Sequence, residues 1–333
     1  MSCRSRHPRT FSIDEHIMHR RGFLQAGVAT GLAWGAGLVT TPSTPAAASR
    51  AKTLTLGFST YGTKSLKTEA AIDLVSATGF DSIELTTWPD WDADPAVIKP
   101  ARRRALRKRL ADRGLKVTSL MEHLHIDDPK RSPAQRLERI RLAAALAHDL
   151  APDHPPLLQT TIGGGGKWAQ KRDGYVGEIA EWLKVADAED LVIAVKPHRG
   201  GAFSRPREAA ELIKRLGRPR RLRMCYDYSH YDFRDMTLEG TIKTSLPFVG
   251  HIAVKDVVRR DKKLRFVLPG QGGRIDYARL IGGFHTGGYR GDICVEISGQ
   301  VWSQPGYDPA AAARICHKHL AGAFARSEVP RPK

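Results

Sequence analysis

Residues 191–198, LVIAVKPH, form an apolar and mostly β-branched run that ends in a lysine and a histidine. Such a run is typical of a strand that is buried on both faces of a parallel sheet. Similar runs occur along the chain, with helical stretches between them. The eight predicted strands are 55–60, 82–88, 116–122, 157–164, 191–198, 222–230, 250–256 and 292–299.

The number of strands decides between two fold classes. Strands that alternate with helices build parallel sheets, which are either open and doubly wound or closed into a barrel. Eight strands in a chain of this length favour the closed form. We therefore predict an α/β protein with a single (β/α)8 TIM barrel domain over residues 49–333.

The composition of the 333-residue chain is globular, with 41% hydrophobic and 26% charged residues. The formal net charge is +18, of which residues 1–48 contribute five arginines against one aspartate and one glutamate, leaving +15 for the remainder. In the basic stretch 101–116, Leu106 and Leu110 stand at helical spacing. This spacing favours an amphipathic helix with a solvated basic face; a surface for an anionic partner is the alternative.

The first 48 residues have the features of a sorting signal. Two arginines in HRRGFLQ (19–25) precede an apolar stretch, and small residues around Ala46 and Ala48 offer a peptidase site. The segment resembles a twin-arginine export signal, which implies a protein that folds in the cytoplasm and works in the periplasm or outside the cell. A membrane anchor formed by an uncleaved signal is the alternative; otherwise contact with the membrane is transient.

The cysteines do not form a disulfide framework or a zinc ribbon, because no CxxC is present. Cys225 and Cys294 lie in strand-like runs. We expect them to be small core residues.

Polar and aromatic side chains gather at the carboxyl ends of the predicted strands, where barrel enzymes carry their chemistry. A purely structural barrel would not require carboxylates, imidazoles and tryptophans at nearly every strand end. We therefore predict one polar pocket there. Its residues are Trp88, Glu122, His123, Trp168, Lys196, His198, Asp227, His230, Lys255 and Glu296, with Gln300 on the loop after the last strand.

Some of these residues have a plain structural alternative. Trp88 and Trp168 could stack on a sugar face or fill the core. His123 and His125 stand two residues apart and could ligate a metal beside Glu122, but hydrogen-bonded histidines at a loop edge are more frequent.

Five fragments occur in a consistent order along the chain. They are GFDSIEL (79–85), a fifth strand that ends in Pro197 and His198, D-x-x-H at 227–230, x-x-K-D at 253–256 and G-x-I-x-V-E at 291–296. In this order they resemble the xylose isomerase-like barrels, a superfamily of sugar isomerases and epimerases that also contains apurinic endonucleases. The resemblance covers about residues 53–320.

The resemblance implies a divalent metal held by a Glu, an Asp, a His and a Glu on the fifth to eighth strands. Only Asp227 and Glu296 match, because the fifth-strand position is Lys196 and the seventh-strand position is Ala253. His251 lies two residues earlier and deeper, so it is a poor substitute. Two ligands of four do not hold an ion tightly. We therefore expect no cofactor, and Mn, Mg or Zn only if other residues complete the site.

Lys196 offers an explanation for this departure. Three carboxylates and a divalent ion sum to about −1, and Asp227, Glu296 and a protonated Lys196 also sum to −1. We predict that Lys196 is an internal cation, paired with Asp227 or Glu296 in place of the metal. A solvent-facing inert lysine and a nucleophilic lysine are the alternatives.

These features predict an exported enzyme that acts on a sugar or keto-sugar by proton transfer next to a carbonyl. Glu296 is the first choice of base, Lys196 would stabilise the enolate, and Asp227 completes the catalytic set. His198 and His230 would bind hydroxyls or relay a proton. A sugar-binding barrel without catalysis and a lysine Schiff-base lyase are alternatives. A nuclease is disfavoured because the histidine-rich zinc set is absent, so the expected partner is a small carbohydrate and not nucleic acid.

Overall fold

The structure is a computed structural model and describes residues 53–332. Within them, eight parallel strands close into a barrel, which confirms the predicted (β/α)8 fold. The barrel strands are β1 (Thr55–Ser59), β2 (Ser82–Thr86), β3 (Lys116–His123), β4 (Leu157–Thr161), β5 (Ile193–Lys196), β6 (Leu222–Tyr226), β7 (Val249–Val254) and β10 (Asp292–Val295). Around the barrel they follow the order β1, β10, β7, β6, β5, β4, β3, β2. Each of the eight predicted strands overlaps one strand of the barrel.

Helices alternate with the strands. They are α1 (Thr68–Thr78), α2 (Pro100–Asp112), α3 (Pro133–Leu150), α4 (Trp168–Ala188), α5 (Pro206–Arg215), α6 (Leu238–Ser245), α7 (Tyr277–Thr286), α8 (Gly299–Trp302) and α9 (Pro309–Arg326). Several begin with proline, whose fixed φ suits the first turn. Ser132 caps α3, because its hydroxyl accepts from the Gln135 N–H and the Gln135 side chain accepts from the Ser132 N–H.

Helix α2 carries the basic stretch that was predicted to be amphipathic. Leu106 and Leu110 are buried in the core, which confirms the helix and its apolar face. On another side, Arg102 pairs with Glu69 of α1. Part of the basic face is therefore used inside the fold to join neighbouring helices.

The interior of the barrel is polar, although barrels of this kind are usually filled by branched apolar residues. At the amino end, Asp292 of β10 is buried. It accepts hydrogen bonds from Thr55, Ser82 and Thr118 on three other strands. A Cβ on Gly57 of β1 would lie 2.4 Å from the Asp292 Oδ2 atom, so this close approach requires glycine.

An antiparallel hairpin that the sequence analysis did not predict follows β7. Its strands are β8 (Asp256–Arg260) and β9 (Lys263–Val267). Asp261 and Lys262 join them, and both have positive φ, as in a two-residue hairpin turn.

Asp256 secures the base of this hairpin. Its carboxylate accepts the N–H groups of Gly270 and Gly272 and the hydroxyl of Tyr277. Asp276 caps α7 by accepting the Arg279 N–H. The loop after the hairpin is therefore fixed at both ends.

The predicted export signal at residues 1–48 and the predicted domain start at residue 49 lie outside the described residues. Across residues 53–332, no helix combines the length and apolar character that crossing a membrane requires. Cys225 and Cys294 are buried and free, which confirms their predicted place in the core.

Candidate active site

Two lysines and two carboxylates meet at the carboxyl end of the barrel. Lys196 ends β5 and Lys255 follows β7, whereas Asp227 and Glu296 follow β6 and β10. All four side chains are buried. One oxygen of Glu296 accepts from Lys196, and the other accepts from Lys255 at 2.7 Å. Lys255 also donates to Asp227, so the four residues form one ion-pair chain.

The predicted contact between Lys196 and a carboxylate is present, and its partner is Glu296. Lys255 was predicted to lie in the pocket, but its bridge between both carboxylates was not predicted. Alternation along β7 puts Lys255 on the same inward face as Ala253, and this pattern could have indicated the contact.

Burial and ion pairing shift the pKa values of the residues in the ion-pair chain in opposite directions. Burial raises the pKa of Glu296, but the Lys196 and Lys255 ammoniums outweigh burial and hold that pKa below its usual range. Burial lowers the pKa of Lys196, yet Glu296 and other acidic neighbours raise it above its ordinary value. Near neutral pH, Glu296 is therefore a weak base and Lys196 a poor nucleophile.

Neutral imidazoles border the ion-pair chain. The ring centroids of His198 and His230 lie 4.1 Å apart. Burial, together with the Lys255 and Lys196 ammoniums, lowers the pKa of His198 to about 4. Burial and His198 lower the pKa of His230 well below its ordinary value. The His230 Nδ1 atom accepts the Arg199 N–H at 3.3 Å, so the ring proton of His230 is on Nε2.

A cavity of about 70 Å³ lies against the ion-pair chain. Five of the predicted residues line it: His123, Lys196, His198, Lys255 and Glu296. The other lining residues are Tyr61, Met121, Gln159, Thr161, Phe266 and Ser298. Gln159 and Thr161 alternate on β4, so strand periodicity could have found them. Phe266 comes from the unpredicted hairpin.

An aromatic cluster supports one wall of the cavity. Trp88 packs on His123 with ring centroids 3.6 Å apart. Tyr61 contacts both Trp88 and Trp302, at centroid distances of 5.1 and 5.4 Å. Trp88 thus lies behind His123 and Tyr61 instead of on the wall where it was predicted. Burial and Glu296 raise the pKa of Tyr61 to about 12, so its hydroxyl stays protonated.

Glu122 faces away from the cavity, and its predicted place in the pocket was wrong. Its buried carboxylate accepts hydrogen bonds from Arg139 of α3 and from Arg131. Arg139 also binds Asp94 at 2.6 Å. Successive strand residues point to opposite faces, so His123 faces the interior and Glu122 faces the helices.

Trp168 and Gln300 also lie away from the cavity, contrary to prediction. Trp168 starts α4, where its indole N–H donates to Glu211 at 2.8 Å and its ring packs on Phe203. The Gln300 side chain accepts the Phe266 N–H at 3.0 Å and so ties α8 to the hairpin. Trp168 is a helix residue beyond the end of β4, which is why strand position misplaced it.

Fold and site together define a TIM barrel with a polar cavity at its carboxyl end. The chain matches the xylose isomerase-like TIM barrel family over residues 72–320, and it belongs to that family.

Two relatives are each named "Putative hydroxypyruvate isomerase". The protein from Homo sapiens is 24% identical over 237 residues, which cover 68% of this chain and 82% of that protein. The protein from Mus musculus is 34% identical over 91 residues, which cover 27% of this chain and 30% of that protein. The match therefore spans less than a third of the mouse protein.

Solved structures share the fold at low sequence identity. A zinc-bound IOLI protein has a TM-score of 0.68 and 15% identity, covering 82% of this chain and 99% of its own. A D-psicose 3-epimerase determined in the presence of D-fructose has a TM-score of 0.66 and 16% identity, with coverage of 82% and 99%.

The metal position implied by the family pattern does not suit a divalent ion in this chain. Two of its four places are held by Lys196 and Ala253, which offer no ligand atom at neutral pH. At the other two, Asp227 and Glu296 already bind ammonium groups. The donor set at this place is therefore incomplete and occupied by the chain's own cations.

Proposed function

We propose that this protein is an isomerase-like or epimerase-like enzyme that moves a proton next to the carbonyl of a small sugar or keto-sugar. One observation carries the proposal: Lys196 and Lys255 hold two fixed ammoniums beside the neutral imidazole of His198 in one cavity. Family membership and the two relatives named "Putative hydroxypyruvate isomerase" support it.

The lysines stabilise the charge that develops during proton removal. Loss of a proton next to a carbonyl places negative charge on the carbonyl oxygen, and fixed donors in a buried site stabilise that charge strongly. Each ammonium has three N–H groups, and the contacts with Glu296 and Asp227 leave donors for the substrate. In this proposal Lys196 and Lys255 replace the family's metal ion.

We assign the proton transfer to His198 in place of Glu296. Glu296 is the weaker base of the two, because lysine ammoniums engage both of its oxygens and hold its pKa below its usual range and below that of His198. His198 is neutral near pH 7 and lines the same cavity. His198 then holds the proton as an imidazolium and can return it to the neighbouring carbon. Burial and His125 lower the pKa of His123 as well, so its neutral ring can hydrogen-bond a substrate oxygen.

The size of the cavity favours a short substrate. Its volume of about 70 Å³ is well below the roughly 300–1,000 Å³ of pockets that hold drug-sized ligands. A three-carbon hydroxy-keto acid suits this space better than a pyranose ring. A longer keto-sugar requires displacement of Phe266, which lies on the hairpin.

A sugar-binding barrel without catalysis is the second candidate function. The engagement of both Glu296 oxygens favours it, because Glu296 is the only carboxylate among the described residues that line the cavity. A Schiff-base lyase is disfavoured, since the raised pKa of Lys196 keeps its amine protonated.

Measuring the exchange of substrate protons with deuterated solvent distinguishes the enzyme from a sugar-binding barrel without catalysis. We expect the wild type to label hydroxypyruvate or a short keto-sugar in the presence of a chelator, and His198→Gln to lose at least about 100-fold in rate. Trp168→Phe, outside the cavity, is the control with unchanged rate. Binding without exchange would identify a binding protein, and neither binding nor exchange with three- to six-carbon carbonyl compounds would contradict both functions.

We also propose that residues 1–48 export the domain at 49–333 to the periplasm or beyond the cell, with Arg20 and Arg21 as the paired arginines. The motif in the sequence supports this location. Cell fractionation of the wild type and of a variant with both arginines changed to lysine tests it. Equal distribution of the two proteins would contradict export by this pathway.

A further inference from the structure

A second polar cluster lies deeper in the barrel, and the proposed proton transfer does not use it. Its members are Glu84 of β2, His251 of β7 and Cys294 of β10, and their ligand atoms all lie within 4.8 Å of one another. All three side chains are buried. We propose that this core cluster binds one divalent transition-metal ion of the zinc type.

The position of the core cluster relates it to the family's metal position. His251 precedes Ala253 by two residues on β7, and Cys294 precedes Glu296 by two residues on β10. Because strand side chains alternate, a step of two residues keeps the same inward face and moves one layer along the barrel. The chain thus lacks two of the four ligands in the usual layer and has a new set one layer closer to the amino end.

The His251 and Glu84 ligand atoms are spaced like two ligands of a tetrahedral ion. The His251 Nε2 atom lies 3.2 Å from the Glu84 Oε2 atom. Bonds of about 2.0–2.1 Å from zinc to nitrogen and oxygen place two tetrahedral ligand atoms about 3.3 Å apart. Ser119 Oγ lies 2.7 Å from the same Glu84 oxygen and 3.4 Å from His251 Nε2, next to the pair. Ser119 can orient the carboxylate or supply the fourth ligand.

The charge of the complex and the softness of the ligand atoms indicate which ion the cluster prefers. The Glu84 carboxylate and a Cys294 thiolate together carry two negative charges, and a neutral His251 adds none, so a divalent ion gives an uncharged complex. An uncharged complex is the form that a buried site accommodates best. A thiolate and an imidazole favour Zn²⁺ or Co²⁺, whereas Mg²⁺ and Ca²⁺ prefer oxygen ligands. On binding, the ion displaces the thiol proton to solvent, and the proton that His251 Nε2 shares with Glu84 moves to Nδ1 or to solvent.

A cleft at the amino end of the barrel borders the core cluster at His251. The cleft has a volume of about 1080 Å³ and is lined by His251 together with Thr118 and Asp292. In this proposal the ion enters from the amino end, opposite the cavity at the carboxyl end.

The experiment uses Co²⁺ as a spectroscopic probe on the purified, chelator-treated full chain. We expect one equivalent of Co²⁺ to bind and to produce the intense near-ultraviolet absorption of a thiolate–cobalt bond. Cys294→Ser should lose this absorption and bind Co²⁺ more than about 100-fold more weakly. Cys316→Ser changes another buried cysteine, on helix α9 outside the barrel strands, and is the matched control, with absorption and affinity unchanged.

Two outcomes would overturn the proposal: no Co²⁺ bound above background, or the same absorption in Cys294→Ser as in the wild type. If Cys294→Ser fails to fold, Glu84→Gln keeps the side-chain shape and should still weaken Co²⁺ binding, while an unchanged affinity would count against the site. Ser119→Ala should weaken binding by about 10- to 100-fold if Ser119 supports the ligands. None of these readouts depends on enzymatic activity, so they remain separate from the test of the proposed function.

Discussion

Lys255 binds Glu296 through the Oε1 atom at 2.7 Å and leaves the Oε2 atom to Lys196. One carboxylate therefore fixes two ammoniums that come from β5 and from the end of β7. Because all three groups are buried, the loss of any one leaves charge without compensation. The stability of the barrel and the chemistry of its cavity depend on the same contacts.

Replacing Lys196 by methionine should destabilise the protein by roughly 3–5 kcal/mol, because it removes one side of a buried ion pair. Urea denaturation at pH 7 measures the free energy of unfolding. Lys184→Met is the control, since Lys184 forms an exposed pair with Glu181, and such pairs contribute less than about 1 kcal/mol. Equal losses in the two variants would show that the Lys196 pair has no special role.

The double change Lys196→Glu and Ala253→His restores the family's ligand set around Asp227 and Glu296. We expect Mn²⁺ to raise the melting temperature of this variant, because an ion at 100 times its Kd stabilises the folded state by about 2.7 kcal/mol. Both the variant and its parent should carry Cys294→Ser, so that the core cluster does not contribute. No Mn²⁺-dependent difference between them would mean that Lys196 does not stand in for the ion.

Acid should destabilise the protein through its buried histidines. The pKa of His198 falls from an ordinary value of 6.5 to about 4 on folding, so the unfolded chain binds the proton more readily between these values. The free energy of unfolding should therefore decrease as the pH falls from about 6.5 towards 4, by on the order of 3 kcal/mol for His198. The free energy of unfolding should decrease less over this pH range in His198→Gln than in the wild type. Equal decreases in the two proteins would contradict a contribution from His198.

Arg139→Met should destabilise the fold by roughly 3–5 kcal/mol without changing the exchange rate per folded molecule. The reason is that Arg139 compensates the buried Glu122 on the helix side of β3, away from the cavity. Arg141→Met, on the same helix with an exposed partner in Glu138, is the control with little effect. A large decrease in the exchange rate of folded Arg139→Met would indicate that Glu122 has a role in the active site after all.

Strand position predicted the fold and the centre of the site because both depend on local pattern. A buried run that ends in a charged residue marks a strand end, and this rule found Lys196, Glu296 and His198. This rule does not predict whether a residue at the end of a strand faces the barrel interior or the surrounding helices. Glu122 and His123 are neighbours on β3, yet only His123 lines the cavity.

The hairpin escaped prediction for a different physical reason. Its strands, 256–260 and 263–267, are short and rich in arginine and lysine, so their own preference for extended structure is weak. Contacts made elsewhere in the fold fix them, such as the Asp256 bonds to the following loop and the bond from Phe266 to Gln300. Such contacts join residues that are distant in sequence, so the local pattern of residue types does not predict them.

The hairpin leaves the pairing of the barrel intact, because β7 and β10 remain direct neighbours although it is inserted between them in sequence. Changes in the length of such an insertion affect folding free energy only weakly. At its end, Phe266 lies 5.3 Å from the Lys255 ammonium and closes the cavity. Exchange of this one ribbon should therefore change which molecules the cavity admits, while the eight barrel strands keep their pairing.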